Sequence, residues 1–281
     1  MVDLSRYPTI VELNESSSSK LIFCTHPAGG GLNAYKDMAN KLPHKVLGLE
    51  DPSIYDDQVF DSIPDLAEYH VETIRAIQPQ GPYYVFGQCS GGPLAYEIAY
   101  QLTLEGEQVE VLAMFGAHQL LGFDPSEKSN YGFLPEYLHN RFSIDLSQLN
   151  WVEMESLTIE AVVDKIVEEL CSQKVLDSSK DIEWVKRSIR SLCLSRNASK
   201  KYIAPTSGLN IQHYKQPREA QSVKAFSLNS KDWCDWESLT HGELIEIAHS
   251  DQMTITDSVL RAPFLSETMA KLEQHSLSRI A

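Results

Sequence analysis

The hexapeptide Gly87-Gln88-Cys89-Ser90-Gly91-Gly92 stands between an apolar run, Tyr83-Tyr84-Val85-Phe86, and a helix-forming run, Pro93-Leu94-Ala95-Tyr96-Glu97-Ile98-Ala99-Tyr100. A buried strand must therefore turn into a helix within a few residues, with one cysteine at the apex. Glycines on either side of a central nucleophile are what so sharp a bend requires, because the apex backbone is strained and side chains two residues away have no room. Pro93 suits a first helical turn, where its missing N–H costs nothing. Leu94, Ile98 and Leu102 then recur at helical spacing, as a helix packed on a sheet demands. The pattern reads as a nucleophile elbow in which Cys89, and not Ser90, holds the central position.

The rest of the chain alternates strands with helices. Lys20 to Thr25 reads as a buried strand that follows a Ser-rich stretch, Ser16 to Ser19, and Val46 to Leu49 reads as a second. Asp65 to Ile77 carries Leu66, Tyr69, Ile74 and Ile77 at roughly helical spacing, and Val109 to Phe115 is a further strand. From about 118 to 222 the alternation stops, and Val152 to Cys171 and Asp181 to Tyr202 look helical. Strand patterns resume at Val223 to Leu228 and Leu244 to Ala248, and Ser258 to Leu272 closes as a helix. The expected fold class is α/β, a mostly parallel sheet with a helical lid insertion. Residues 1–19 are expected to be a linker or N-terminal segment, and 20–281 one domain.

Composition excludes several function classes. With 281 residues, 42% of them hydrophobic, the chain is long enough for one large core. No apolar run approaches the roughly 20 residues needed to span a bilayer, and Met1-Val2-Asp3-Leu4-Ser5-Arg6 has no signal-peptide pattern. A cytoplasmic protein without a membrane partner is the expectation. The five cysteines, Cys24, Cys89, Cys171, Cys193 and Cys234, are scattered and odd in number, which argues against a disulfide framework and against a zinc site. A net charge of −15 makes nucleic acid a poor partner, since that affinity rests on Lys and Arg neutralising phosphates.

In a sheet of this kind the acyl-transfer machinery follows a chain order of oxyanion loop, nucleophile, acid and histidine. Thr25-His26-Pro27-Ala28-Gly29-Gly30-Gly31 leaves the first strand and brings backbone N–H groups toward a developing oxyanion. The N–H of Ser90, at the start of the elbow helix, is the second donor. His249 follows the last strand in Glu246-Ile247-Ala248-His249-Ser250-Asp251, where a general base would reach the elbow from a facing loop.

On the stretches Phe23-Cys24-Thr25-His26-Pro27-Ala28-Gly29-Gly30, Ile77-Gln78-Pro79-Gln80-Gly81-Pro82-Tyr83, the elbow with Leu94 to Ala99, and Gly106 with Val109, the chain resembles the thioesterase domains that end nonribosomal peptide and polyketide synthases. The likeness covers about the first 120 residues and returns at Trp236 and His249. Tyr7 to Asn14 resembles the linker that precedes such domains, which implies a domain excised from a larger synthase rather than a free-standing protein. The resemblance implies an α/β-hydrolase fold, an acyl-enzyme intermediate and a substrate delivered as a thioester on the phosphopantetheine of a carrier protein, with no cofactor of the chain's own and no metal. Carried over by position, Cys89 takes the nucleophile's place, Ala28 and Ser90 those of the oxyanion donors, and His249 that of the base.

Two departures from the family are informative. Serine is usual where this chain has Cys89, and aspartate is usual at the end of the strand after the elbow helix, where this chain has Phe115-Gly116-Ala117-His118. A carboxylate could come instead from Ser230-Lys231-Asp232-Trp233-Cys234-Asp235, with Asp232 the first choice, Asp235 the alternative, and no acid at all a third. A thiol at a helix N-terminus beside a histidine tolerates a missing acid, because its pKa can be lowered enough to ionise near neutrality.

Transfer onto Cys89 would conserve a thioester, so release by cyclisation or to a nucleophile such as an amine is expected. A hydrolytic thioesterase giving a free acid is the alternative, and a hydrolase fold that only binds acyl carriers is a third reading, motivated by Gly116. From Trp184 to Tyr202 there are six basic residues and no acidic one. Lys186, Arg187 and Arg190 could dock an acidic carrier protein or balance the acidic helix Glu153 to Glu169. Phe133, Leu134, Leu138 and Phe142 could line an acyl channel or fill a core.

Overall fold

The computed structural model describes residues 3–55, 58–117, 119–120, 130–142, 145–176, 178–215, 233–234 and 236–248. Its main sheet has seven strands: β1 (Ile10–Glu12), β2 (Leu21–Thr25), β3 (Lys45–Leu49), β4 (Tyr83–Gln88), β5 (Val109–Phe115), β7 (Ile211–Lys215) and β9 (Leu244–Ala248), in the order β1-β3-β2-β4-β5-β7-β9. All neighbours are parallel except β1, which runs antiparallel to β3. Two short strands, β6 (Gln119–Leu120) and β8 (Trp233–Cys234), pair antiparallel beside it.

Central parallel strands are covered on both faces and so read as continuous apolar runs. Ile22 to Thr25 and Tyr83 to Phe86 are buried throughout. Strand β5 shows how the sheet divides the core. Leu112 and Met114 pack with α2 (Ile63–Ile77) and α3 (Gly91–Leu104), whereas Val111, Ala113 and Phe115 pack on the other face with Met38 and Ala39 of α1 (Lys36–Lys41). Helix α2 begins at Ser62, whose hydroxyl accepts the Asp65 amide at 3.2 Å, and it buries Leu66, His70, Val71, Ile74 and Ile77 along one face.

The inserted helices are α4 (Leu134–Phe142), α5 (Trp151–Met154), α6 (Ile159–Ser172) and α7 (Ser179–Lys201). They enclose a core of their own around Leu134, Leu138, Val162, Ile166, Ile189 and Leu192. The single helix expected from Val152 to Cys171 is two, because Thr158 is extended and caps α6 by accepting the Ala161 amide.

Two boundaries differ from the sequence expectation. The insertion expected to run to 222 gives way to the main sheet at Ile211, where β7 pairs with β5; the polar residues Gln212, His213 and Lys215 leave no apolar run to mark this strand. The segment 1–19 is more than a linker, because Ile10 and Leu13 are buried and β1 extends the sheet. The expected strand Val223 to Leu228 and helix Ser258 to Leu272 lie outside the described residues. Among the described residues, no helix is long and apolar enough to cross a membrane.

From β2 the chain moves outward to β3, then crosses back to place β4 on the other side of β2. In open α/β sheets the crevice at such a reversal, at the carboxyl ends of the strands, is where ligands sit. Here it lies between the loop after β2 and the turn after β4, the two segments that carry Ala28 and Cys89.

Candidate active site

Cys89 joins β4 to α3 with φ of 51°, the left-handed conformation that a non-glycine residue adopts only under constraint. The constraint is visible: the Cys89 amide donates to the Phe115 carbonyl at 2.9 Å, and the Cys89 carbonyl accepts from the Gly92 amide at 3.0 Å. Gly91 is required by close approach, since a Cβ there would stand 2.6 Å from the His26 carbonyl oxygen and 2.8 Å from the Thr25 hydroxyl.

That contact joins the elbow to the loop after β2. The Thr25 hydroxyl donates to the Gly91 carbonyl at 2.8 Å, and the fully buried Tyr35 phenol donates to the Thr25 carbonyl at 3.0 Å while facing the Gln88 amide. Past Thr25 the loop turns tightly, with Gly30 donating its amide to the Pro27 carbonyl and Gly29 and Gly30 both at positive φ. Ala28 and Cys89 thereby line one cavity of about 300 Å3, closed on its far side by Tyr137 and Leu138 of α4 and Trp184, Ile189 and Leu192 of α7. Every described side chain on its wall is uncharged.

The Ser90 amide hydrogen-bonds the Cys89 thiol and lowers its pKa, but burial acts more strongly and holds the thiol above its ordinary value. The described surroundings therefore keep Cys89 protonated near neutral pH. A base is needed to take its proton; the helix N-terminus alone does not ionise it.

The structure brings together Cys89, Ser90 and Ala28 of the residues singled out by sequence. His249, Asp232 and Asp235 lie outside the described residues. Gly116 ends β5 with φ of 51° and donates its amide to the Tyr214 carbonyl, so no carboxylate stands at the position usual in similar domains. The chain returns there from elsewhere: Trp233 pairs with Leu120, Cys234 with Gln119, and the Trp236 indole donates to the Ala117 carbonyl at 2.9 Å.

In the lid, Lys186 pairs with Asp164 at 2.6 Å, Arg187 with Glu183 at 2.7 Å and Arg190 approaches Glu160 at 3.9 Å. Two of these acids belong to α6, the acidic helix that the basic face was suited to balance. Leu138 lines the cavity, whereas Phe133 and Leu134 serve the lid core, Phe133 lying under the Arg196 guanidinium. The Phe142 side chain is outside the described set.

At the loop after β2, His26, Asp51 and His70 form a buried polar cluster that sequence reading missed. Asp51 lies two residues past β3, and its nearness to His26 follows from the pairing of β3 with β2, which no local pattern signals. Burial pushes the His70 imidazole down to about 3, with His26 adding to the effect and the Asp51 carboxylate opposing it. The folded value lies below the unfolded value of about 6.5, so between these the unfolded chain binds a proton that the folded chain refuses. Stability is therefore expected to fall as pH drops below about 6.5, with His70 accounting for a loss of about 2 kcal/mol by pH 5. Urea unfolding of the parent and of His70→Gln at about pH 7 and pH 5 checks this: the variant should lose less between the two, and equal losses would refute it.

A family profile described as Thioesterase domain matches residues 20–261. The chain is 27% identical over 195 residues to the polyketide synthase PksR of Bacillus subtilis (strain 168), covering 69% of this chain and 7% of that protein. It is 32% identical over 135 residues to enterobactin synthase component F of Escherichia coli (strain K12), covering 47% of this chain and 10% of the relative. The chain thus spans a tenth or less of the length of these relatives. Among solved structures, a holo four-domain nonribosomal peptide synthetase bound to AMP and glycine superposes with a TM-score of 0.67 at 19% identity, over 95% of this chain and 20% of that one. The surfactin thioesterase domain SrfTE, whose structure addresses cyclisation of that lipopeptide, gives 0.56 at 16% identity over 95% of both chains. These two likenesses show the fold, and the profile match over residues 20–261 shows that this chain belongs to the thioesterase domain family.

Proposed function

We propose that the domain takes an acyl or peptidyl chain from the phosphopantetheine thioester of a carrier protein onto Cys89 and releases it by cyclisation or to a nucleophile such as an amine. One observation carries the reading: a cysteine at positive φ, with the Ser90 amide on its sulfur, shares an uncharged cavity with Ala28. In the first step His249 accepts the thiol proton and the sulfur attacks the thioester carbonyl. The oxyanion lies between the Ala28 and Ser90 N–H groups, each worth about 3–4 kcal/mol of barrier height. Collapse expels the phosphopantetheine thiolate, which takes the proton from His249. In the second step the incoming amine or hydroxyl loses its proton to His249 and displaces Cys89, which leaves as the thiol.

Asp232, or failing it Asp235, is the proposed orienting acid, supported by the pairing of Trp233 and Cys234 with 119–120 and the bond from Trp236 to Ala117 just past β5. The carrier protein is the proposed partner because the similar proteins are synthase segments. Lys186, Arg187 and Arg190 are weak candidates for its docking site, since each already lies against a carboxylate. The reading calls for no resident cofactor, and cytoplasmic placement follows as part of it.

The test is intact-protein and peptide mass spectrometry after incubation with an acyl-pantetheine thioester, followed by a chase with water alone or with an added amine. An acyl adduct on Cys89 that an amine intercepts faster than water is expected. An adduct that only hydrolyses would favour the free-acid thioesterase, and the absence of any adduct on Cys89 would overturn the proposal.

A further inference from the structure

Helix α7 is held at three positions to the segments that follow β2 and β3, one of them the loop that carries Ala28. The Arg187 guanidinium donates to the Ile54 carbonyl at 2.8 Å, the Ser188 hydroxyl to the Gly29 carbonyl at 3.2 Å and the Ser191 hydroxyl to the Asp51 carboxylate at 2.6 Å. The third bond differs in kind, because Ser191 is fully buried and Asp51 is 6% exposed. The other Asp51 oxygen accepts the Ser53 amide at 2.9 Å, and Asp51 lines one small cavity with His26 of the oxyanion loop.

A carboxylate this deeply buried is costly unless donors meet its oxygens. Placing Asp51 therefore also places its two hydrogen-bonded partners, Ser53 in the chain leaving β3 and Ser191 in the lid helix, whose Ser188 in turn bonds the oxyanion loop at Gly29. Gly30 is wedged at the same junction, where a Cβ would stand 2.0 Å from the Ile54 side chain and 3.4 Å from the Ser191 hydroxyl. Helix α7 also supplies Trp184, Ser188, Ile189 and Leu192 to the cavity wall. The gap between that wall and the oxyanion loop is thus set by groups that Asp51 holds.

We infer that Asp51 is a positioning residue for the reaction at Cys89: through Ser191 it fixes the lid helix against the oxyanion loop, and so sets the aim of the Ala28 N–H and the width of the acyl cavity. The inference rests on Cys89 as the acyl acceptor and adds to that reading two residues that never touch the substrate. A misplacement of about 1 Å at a reacting centre costs up to about a hundredfold in rate, so the effect is measurable without any loss of fold.

The test compares Asp51→Asn, Ser191→Ala and Ser191→Thr with the parent in three measurements. These are kcat and KM for acetyl- and octanoyl-pantetheine, the rate of Cys89 alkylation by iodoacetamide, and amide hydrogen exchange in α7. Asp51→Asn and Ser191→Ala are expected to lower kcat by about tenfold to a hundredfold, to leave alkylation within about threefold and to speed exchange at 186–195 by at least about tenfold. Ser191→Thr, which keeps the hydroxyl, should stay near the parent. Unchanged kcat with unchanged exchange would overturn the inference, and so would a fall in alkylation as large as the fall in kcat, which would make Asp51 a support of the elbow's fold alone. If Asp51→Asn does not fold, Ser191→Ala carries the same comparison. If the parent turns over neither thioester, the acyl-acceptor reading falls, and exchange in α7 by itself decides whether Asp51 and Ser191 hold the lid.

Discussion

Alanine in place of Cys89 is expected to abolish the acyl adduct and to lower release of an acyl-pantetheine by about 10^3-fold or more, with the fold intact. The size follows from removing the covalent step: oxyanion donors and binding alone leave a residual rate that lies several orders of magnitude below that of the complete machinery. Steady-state release and intact mass measured side by side check it, and an adduct surviving in Cys89→Ala would remove the nucleophile from the mechanism.

Serine at the same place is the sharper comparison. A hydroxyl ionises far less readily than a thiol and depends more on a well-oriented base, and with glycine at position 116 that orientation would have to come from Asp232 or Asp235 on another loop. Cys89→Ser is therefore expected to acylate about 10^2-fold more slowly than the parent. Even the thiol needs help, because burial outweighs the Ser90 amide and keeps it protonated near neutrality. Equal rates for cysteine and serine would show that the thiol gives no advantage at this elbow.

The second large effect concerns stability. Gly92→Ala puts a methyl group 2.1 Å from the Ala117 Cβ, where neither partner has a flexible end to move aside. Ala117 is fully buried, and its carbonyl accepts the indole N–H of Trp236, so a displacement there disturbs a bond that ties the 236 region to the end of β5. Alanine in a helix gains up to about 1 kcal/mol over glycine, whereas overpacking of a rigid site costs about 1–3 kcal/mol and a weakened buried hydrogen bond adds about 1 kcal/mol. The steric terms win, for a net loss of about 1–3 kcal/mol. For a domain of this size that corresponds to a fall in Tm of about 3–10 °C. A scanning-calorimetry Tm within about 2 °C of the parent would mean that the turn after β5 yields more easily than its packing implies.

The elements that sequence reading located best are those whose neighbours lie close in the chain. Val109–Phe115 and Leu244–Ala248 are strands with the expected bounds, and Tyr83–Gln88 followed by Gly91–Leu104 is the expected strand and helix about Cys89. Their periodicity, glycines and capping residues act over a few positions and are written in order. Strand β7 escaped because its residues Gln212 and Lys215 interrupt the apolar run, and its place is secured by pairing with β5, about a hundred residues away. Strand β1 escaped for the same reason, as Ile10 finds its partner in Leu49.

The site divides along the same line. The sharp turn at Cys89, the start of the helix at Ser90, the loop of Ala28 and the glycine at 116 were all legible as geometry, since each depends on which residues follow a strand end. The lid charges were legible as a pattern but ambiguous in purpose until Lys186 and Arg190 were seen against Asp164 and Glu160. Asp51 and Tyr35 were invisible as parts of the site. Sequence by itself determined the strand-turn-helix that carries a thiol at its apex and the order of loops that could serve it, because backbone sterics and helical periodicity are local. Only the tertiary structure decided that β3, β2 and β4 lie side by side, and hence that a buried carboxylate meets a lid serine while a phenol bonds the end of β2, because burial in a low-dielectric interior is a property of the packed whole.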